Sequence, residues 1–110
     1  MLKQTKTDVL FKAIADPTRR KIFHVLVITA SAMSITQIAQ DFEMTRQGVT
    51  KHIKTLESAG LVVIKTTGRE RFCSPNTQPL QEIKDWLSFY EQFWDTSLNK
   101  LGDYLDKQGS

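Results

Sequence analysis

Arg46, Gln47, Thr50, Lys51, Lys54, Lys65, Arg69 and Arg71 bring guanidinium, ammonium, amide and hydroxyl groups into one short stretch of chain. Over residues 46–71 six basic side chains stand against two acidic ones, a local excess of +4, although the whole chain of 110 residues carries only +3. Residues 1–45 carry +2 and residues 72–110 carry −3, so the positive charge is concentrated. Such a patch attracts a polyanion. These residue types meet a nucleic acid in two ways. Arg bridges the guanine edge and Gln the adenine edge, whereas Lys and Thr hold phosphate oxygens and set register without reading bases. On that division Arg46 and Gln47 are the expected base readers. Thr36, Thr45, Thr50, Lys51 and Lys54 are the expected phosphate contacts, with His52 half-buried beside them or against a phosphate. Charge alone is equally the mark of a solvated face, so the elements that present these residues must decide.

Other chemistry is sparse. One cysteine, Cys73, makes no internal disulfide and no multi-cysteine zinc or iron–sulfur site. It reads as a small strand residue, and a redox role lacks a resolving cysteine in the same chain. His24 falls in an apolar helical stretch and is expected in the core or an interface. No Ser/His/Asp grouping, nucleotide-binding glycine loop or carboxylate cluster marks an enzyme. No metal and no cofactor is expected. Apolar runs fall short of the roughly 20 residues of a membrane span. The N-terminus, with Lys3, Lys6 and Asp8, has no signal-peptide core, and a cytoplasmic location is expected.

Periodicity and punctuation outline the scaffold. A first helix over residues 7–15 breaks at Asp16-Pro17, which suit the N-cap and first turn of a second helix carrying Ile22, Phe23, Val25, Leu26 and Val27. Arg19, Arg20 and Lys21 on that helix are phosphate contacts or a solvated face. Ser34 and Gln37 have capping-box spacing ahead of a short third helix with Ile35, Ile38, Ala39 and Phe42 inward. Glu43 and Met44 connect it to a fourth helix over residues 46–59, capped by Thr45, striped by Val49, Ile53 and Leu56, and stopped at Gly60. A β-branched run at 61–64, a turn at Thr67-Gly68 and a return at 69–74 make a hairpin. After Pro75 and Pro79 a long helix runs over residues 80–107.

The expected fold is mainly α with a small β-hairpin: five helices plus a two-stranded wing in a single winged helix-turn-helix domain over residues 1–110. The third helix braces the fourth, whose basic outer face is the right width for a major groove. The hairpin, with Lys65, Arg69 and Arg71 around Gly68, suits the adjacent minor groove or backbone. The last helix would be about 42 Å long at 1.5 Å per residue, more than one small core can cover. Val9, Leu10 and Phe11 with Trp86, Tyr90, Phe93, Trp94, Leu98, Leu101 and Leu105 are therefore the expected homodimer interface. The cluster Trp86, Phe89, Tyr90, Phe93 and Trp94 is read as core and interface, with an effector pocket as the alternative.

Ala15-Asp16-Pro17-Thr18-Arg19-Arg20, the run from Thr45 to Ile53, Leu56 to Val62, and Gly68-Arg69-Glu70-Arg71 together resemble the ArsR/SmtB-type winged helix-turn-helix repressors over nearly the whole chain. The aromatic last helix resembles the branch without the usual metal ligands. The resemblance implies a homodimeric bacterial repressor that binds double-stranded DNA at inverted-repeat operators, with its first and last helices at the dimer interface. Metal-sensing members carry ligands in the third or last helix, but residues 36–42 hold no Cys or His and the last helix no His. Gly48 stands where Ala is commoner in the family. The alternative function is a winged-helix protein-interaction module without sequence-specific DNA binding, against which stands the retained +4. No ligand signature identifies an inducing signal.

Overall fold

The computed structural model describes residues 5–109, with the side chains at 95–101, 103, 104 and 106–109 outside that description. Its elements run α1 (Lys6–Ala15), α2 (Pro17–Thr29), β1 (Met33–Ser34), α3 (Ile35–Asp41), α4 (Arg46–Ser58), β2 (Val62–Thr67), β3 (Glu70–Pro75) and α5 (Leu80–Gly109).

Local chemistry explains most of the boundaries. Thr5 and Asp8 form a reciprocal capping box at the start of α1, at 3.1 and 3.0 Å. Asp16 accepts the Arg19 N–H at 2.9 Å, with Pro17 at N1 of α2. Ser34 caps α3 by accepting the Gln37 N–H at 3.1 Å, and Thr45 caps α4 by accepting the Gly48 N–H at 3.0 Å. Gly60 takes φ 77° where the chain leaves α4 for β2, a conformation open to glycine at no steric cost.

Arg19 and Arg20 have a structural role. The Arg19 guanidinium donates to the carbonyls of Ala13 and Lys12 at 2.7 and 2.9 Å, and Arg20 donates to Ile14 and Ala15 at 2.8 and 3.1 Å. Four carbonyls at the end of α1 thereby gain the partners a helix terminus lacks. The two arginines tie α1 to α2.

The sheet has three strands in the order β1-β3-β2, one more than the expected hairpin. Met33 and Ser34 pair with Cys73 and Phe72. Two residues, the second of them the cap of α3, are too few to show alternation, so this strand leaves no periodic signal. The β2–β3 ladder runs from Val62 opposite Pro75 to Thr67 opposite Glu70, closing at Gly68 with φ 62°.

One core collects Leu10 and Ala13 from α1, Ile22, Phe23 and Leu26 from α2, Ile35, Ile38 and Ala39 from α3, Val49, Ile53 and Leu56 from α4, and Leu61, Val62 and Cys73 around the wing. Leu10 is only 2% exposed within the single chain. It is a core residue, not a dimer-surface residue, because α1 turns that side onto its own protomer. His24 is exposed on α2 and is not part of the core. Among the described residues of α5, Leu80 and Ile83 pack against the core.

Candidate nucleic-acid interface

The buried stripe of α4, Val49, Ile53 and Leu56, decides what the helix shows to solvent. At about 100° per residue, Gln47, Lys51 and Lys54 fall within an arc of about 60° directly opposite that stripe. All three are exposed. Gly48 stands at the start of this helix beside its cap. A Cβ at that position would lie 3.1 Å from Thr45 Oγ1 and 3.3 Å from Met44 Cε, crowding the oxygen that caps the helix.

Arg46 and Thr50 lie at the flank of this face, toward α3 and the wing. Arg46, Thr36, Arg69 and Arg71 border one small recess together with Ser34, Ile35 and Glu70. Arg46, Thr50 and Arg71 also border the hollow beside it. Three arginines, one from the start of α4 and two from the wing, thus border one recess. Their planar forks suit phosphate oxygens. Arg46, expected to read bases, shares the recess with Arg69 and Arg71 of the wing, and Gln47 borders the neighbouring hollow.

The hydroxyls divide in a way their residue types did not reveal. Thr50 Oγ1 donates to the Arg46 carbonyl at 2.7 Å, so its proton is already engaged within the helix. Thr45 Oγ1 accepts a backbone N–H and keeps its own proton for an outside acceptor. His52 is half-buried, with Nδ1 4.0 Å from Asp16 Oδ2, and faces the start of α2 rather than the outward arc. Lys65 is also set apart. It pairs across the ladder with Phe72, whereas Arg71 pairs with Thr66, so the two basic side chains leave opposite faces of the hairpin.

Two ionisable groups are displaced from their ordinary range. Asp16 is held below the usual carboxylate value, first by the Arg19 N–H it accepts and, against the opposing effect of burial, by the nearby His52 and Arg19 charges. Burial pushes the Cys73 thiol up to about 11. A thiol that remains protonated and enclosed in β3 is a poor nucleophile and redox centre. Among the described residues, no three His, Cys, Asp or Glu side chains gather as a metal set. No helix among them is long and apolar enough to cross a membrane.

The first half of α5 carries a second surface. Phe89 is 57% exposed, Trp94 52% and Phe93 50%, with Trp86, Leu87 and Tyr90 also exposed. The rings form a chain: Trp86 stands edge-on to Phe11 of α1 at 5.0 Å, Tyr90 lies 4.9 Å from Trp86, and Phe89 lies 5.2 Å from Tyr90 and 5.4 Å from Phe93. Val9 and Phe11 are half-buried beside α5, and Leu105 is exposed farther along it. The side chains of Leu98 and Leu101 lie outside the described residues.

Comparison with known proteins agrees with this arrangement. Residues 14–64 match a family model described as a helix-turn-helix domain. The chain is 38% identical over 86 residues to the uncharacterized HTH-type transcriptional regulator YuzN of Bacillus subtilis (strain 168), covering 73% of this chain and 94% of YuzN. It is 33% identical over 78 residues to the transcriptional repressor SdpR of the same organism, covering 71% of this chain and 84% of SdpR. A crystal structure of an ArsR family transcriptional regulator superposes with a TM-score of 0.73 at 29% identity, covering 82% of this chain and 91% of the other. The homodimeric winged helix-turn-helix DNA-binding domain of Mb0332 from Mycobacterium bovis shares the fold, with a TM-score of 0.63 at 17% identity over 84% of this chain and 91% of that one. The exposed arc of α4, the arginine recess beside it and the extent of these relatives lead to one assignment: the chain belongs to the ArsR/SmtB-type winged helix-turn-helix transcriptional regulators, a DNA-binding family.

Proposed function

We propose that the chain acts as a cytoplasmic homodimeric repressor that occupies an inverted-repeat operator. The observation that carries this reading is the outward arc of Gln47, Lys51 and Lys54 flanked by the recess of Arg46, Arg69 and Arg71. In this reading α4 enters the major groove. Gln47 reads a base edge, Lys51 and Lys54 neutralise phosphates beside it, and the arginine recess with Thr36 and Thr45 clasps the backbone where the wing approaches. Lys65 contacts the backbone from the far face of the wing.

Homodimerisation is supported by the bare aromatic face of α5. A helix stripe of that width needs cover, and the same fold is homodimeric in the Mycobacterium bovis protein. Twofold symmetry then sets two α4 helices against successive major grooves about 34 Å apart. Repression is supported by the similarity to SdpR, and blocking a promoter needs no chemistry beyond occupancy.

Gel-shift and footprinting with DNA upstream of the protein's own gene test this directly. A specific complex on a palindromic site is expected, with affinity falling steeply as salt rises. The absence of any sequence-specific, salt-sensitive complex there and on genome-selected fragments overturns the proposal.

A further inference from the structure

A groove of about 700 Å³ opens where α1, the end of α4 and the start of α5 meet. Its apolar floor comprises Val9, Leu10, Ala59 and Pro79, and its polar walls include Asn76 and Gln81. None of the α5 aromatic residues lines it. Its size is within the range of small-molecule sites, and an apolar floor with a few polar groups is their usual composition.

The charges around the groove are unequal. Glu82 and Asp85 stand one turn apart on the α5 wall, and among the described residues Lys6 of α1 is the basic residue that lines it. Among the described residues neither carboxylate is in an ion pair, although Asp85 accepts the Gln81 side-chain amide at 3.0 Å. A net negative rim above an apolar floor complements an ammonium group carried on an apolar body.

The position also matters. Ser58, Ala59 and Gly60, where α4 ends and the chain turns into β2, form one side of the groove. Gly60 is already close to Pro79, with 3.3 Å between a Cβ built there and Pro79 Cγ. A molecule seated in the groove therefore touches the end of α4 and the two helices outside the reading head at once. Its differential contact with two settings of α4 would shift their populations.

We propose that this groove binds a small amphipathic organic amine, and that occupancy resets α4 against α1 and α5 and so changes operator affinity. The second half rests on the DNA-binding function proposed above; the first does not.

The test uses the full chain and three probes with one apolar body: 4-phenylbutylamine, 4-phenylbutanol and 4-phenylbutanoate. Amide NMR titration without DNA is expected to show saturable shifts at Ser58, Gly60, Asn76 and Gln81, with the amine binding at least tenfold tighter than the carboxylate. In the Glu82→Gln/Asp85→Asn double variant that preference falls to within twofold, while the folded spectrum persists because both positions are exposed. No saturable shift, no preference for the amine, an unchanged preference in the variant, or shifts confined to the aromatic face of α5 would each overturn the site. Fluorescence anisotropy with operator DNA then tests the consequence. Saturating amine is expected to change affinity at least fivefold in the wild-type chain and less than twofold in the variant. An amine that binds the groove and leaves operator affinity unmoved overturns the regulatory half. A chain that binds no operator under any condition overturns the DNA reading and leaves the titration result standing.

Discussion

Helices α4 and α5 are both amphipathic, with apolar residues at alternating three- and four-residue steps, yet their stripes meet opposite fates. Val49, Ile53 and Leu56 of α4 are completely buried within the chain. Phe89, Phe93 and Trp94 of α5 are at least half exposed. An apolar period shows that a face needs cover; it does not say whose atoms supply it. The polar sides differ too. The stretch from α4 through the wing carries +4, whereas residues 72–110 carry −3. One helix faces inward to its own core and outward with the exposed Gln47, Lys51 and Lys54. Among the described residues of the other, Leu80 and Ile83 meet the core, whereas Phe89, Phe93 and Trp94 are left exposed.

The contrast can be broken most directly by truncating each stripe. Leu56→Ala is expected to cost about 2–5 kcal/mol in urea unfolding, because a filled core site becomes a cavity. That loss should not depend on protein concentration. Phe93→Ala/Trp94→Ala should instead leave helical content in place, move the sedimentation profile toward monomer, and lower the melting temperature by an amount that grows on dilution. A concentration-independent loss in the α5 variant would make the two stripes equivalent.

A smaller effect separates the two parts of the α4 interface. Gln47→Ala should lose about 1–3 kcal/mol of discrimination at one operator position. Arg69→Ala and Arg46→Ala should weaken binding evenly across sequences and reduce the salt slope by about one phosphate each. Binding selections on randomised half-sites read both, and a changed base preference in Arg46→Ala would return that residue to the base-reading group.

Thr45→Ala tests the start of α4. Loss of its bond to the Gly48 N–H is expected to cost about 1 kcal/mol in thermal unfolding, with no such cost from an exposed α5 position such as Ser88.

The smallest effect concerns Asp16, at the corner of α1 and α2. Its folded-state pKa is lowered, so its contribution to stability is present above the ordinary carboxylate pKa and is lost as pH falls through the lowered value. Asp16→Asn should remove that contribution at neutral pH and flatten the acid limb of the stability profile below about pH 4, where an unfolded-state Asp titrates, so that variant and wild type converge in acid. Urea unfolding from pH 2 to 7 measures this, and an unaltered acid limb would show that Asp16 does not couple the corner to acid.

Much of the scaffold was legible because its signals are local. Asp16-Pro17, Ser34, Thr45 and Gly60 lie at the helix boundaries their types suggested, since capping involves groups within about three residues. The strand at Met33–Ser34 was not legible: its partner lies some forty positions away and two residues show no period. The basic residues of the interface were visible as types, but their grouping was not. Arg46, Arg69 and Arg71 converge, whereas Lys65 leaves the opposite face of the hairpin and His52 turns toward Asp16. Arg19 and Arg20 looked as suited to phosphate as to solvent until the carbonyls of α1 came within reach.

The helical periods, the caps, the hairpin turn and the concentration of positive charge over residues 46–71 are written in the order of residues, because each depends on neighbours a turn or less away or on composition alone. Packing between elements settles that Leu10 belongs to the core, that Phe89, Phe93 and Trp94 stay exposed, that Arg46 of α4 shares a recess with Arg69 and Arg71 of the wing, and that a groove opens between α1, α4 and α5. Those outcomes depend on where separate elements come to rest against one another. Burial and convergence are properties of that packing, and no single segment carries them.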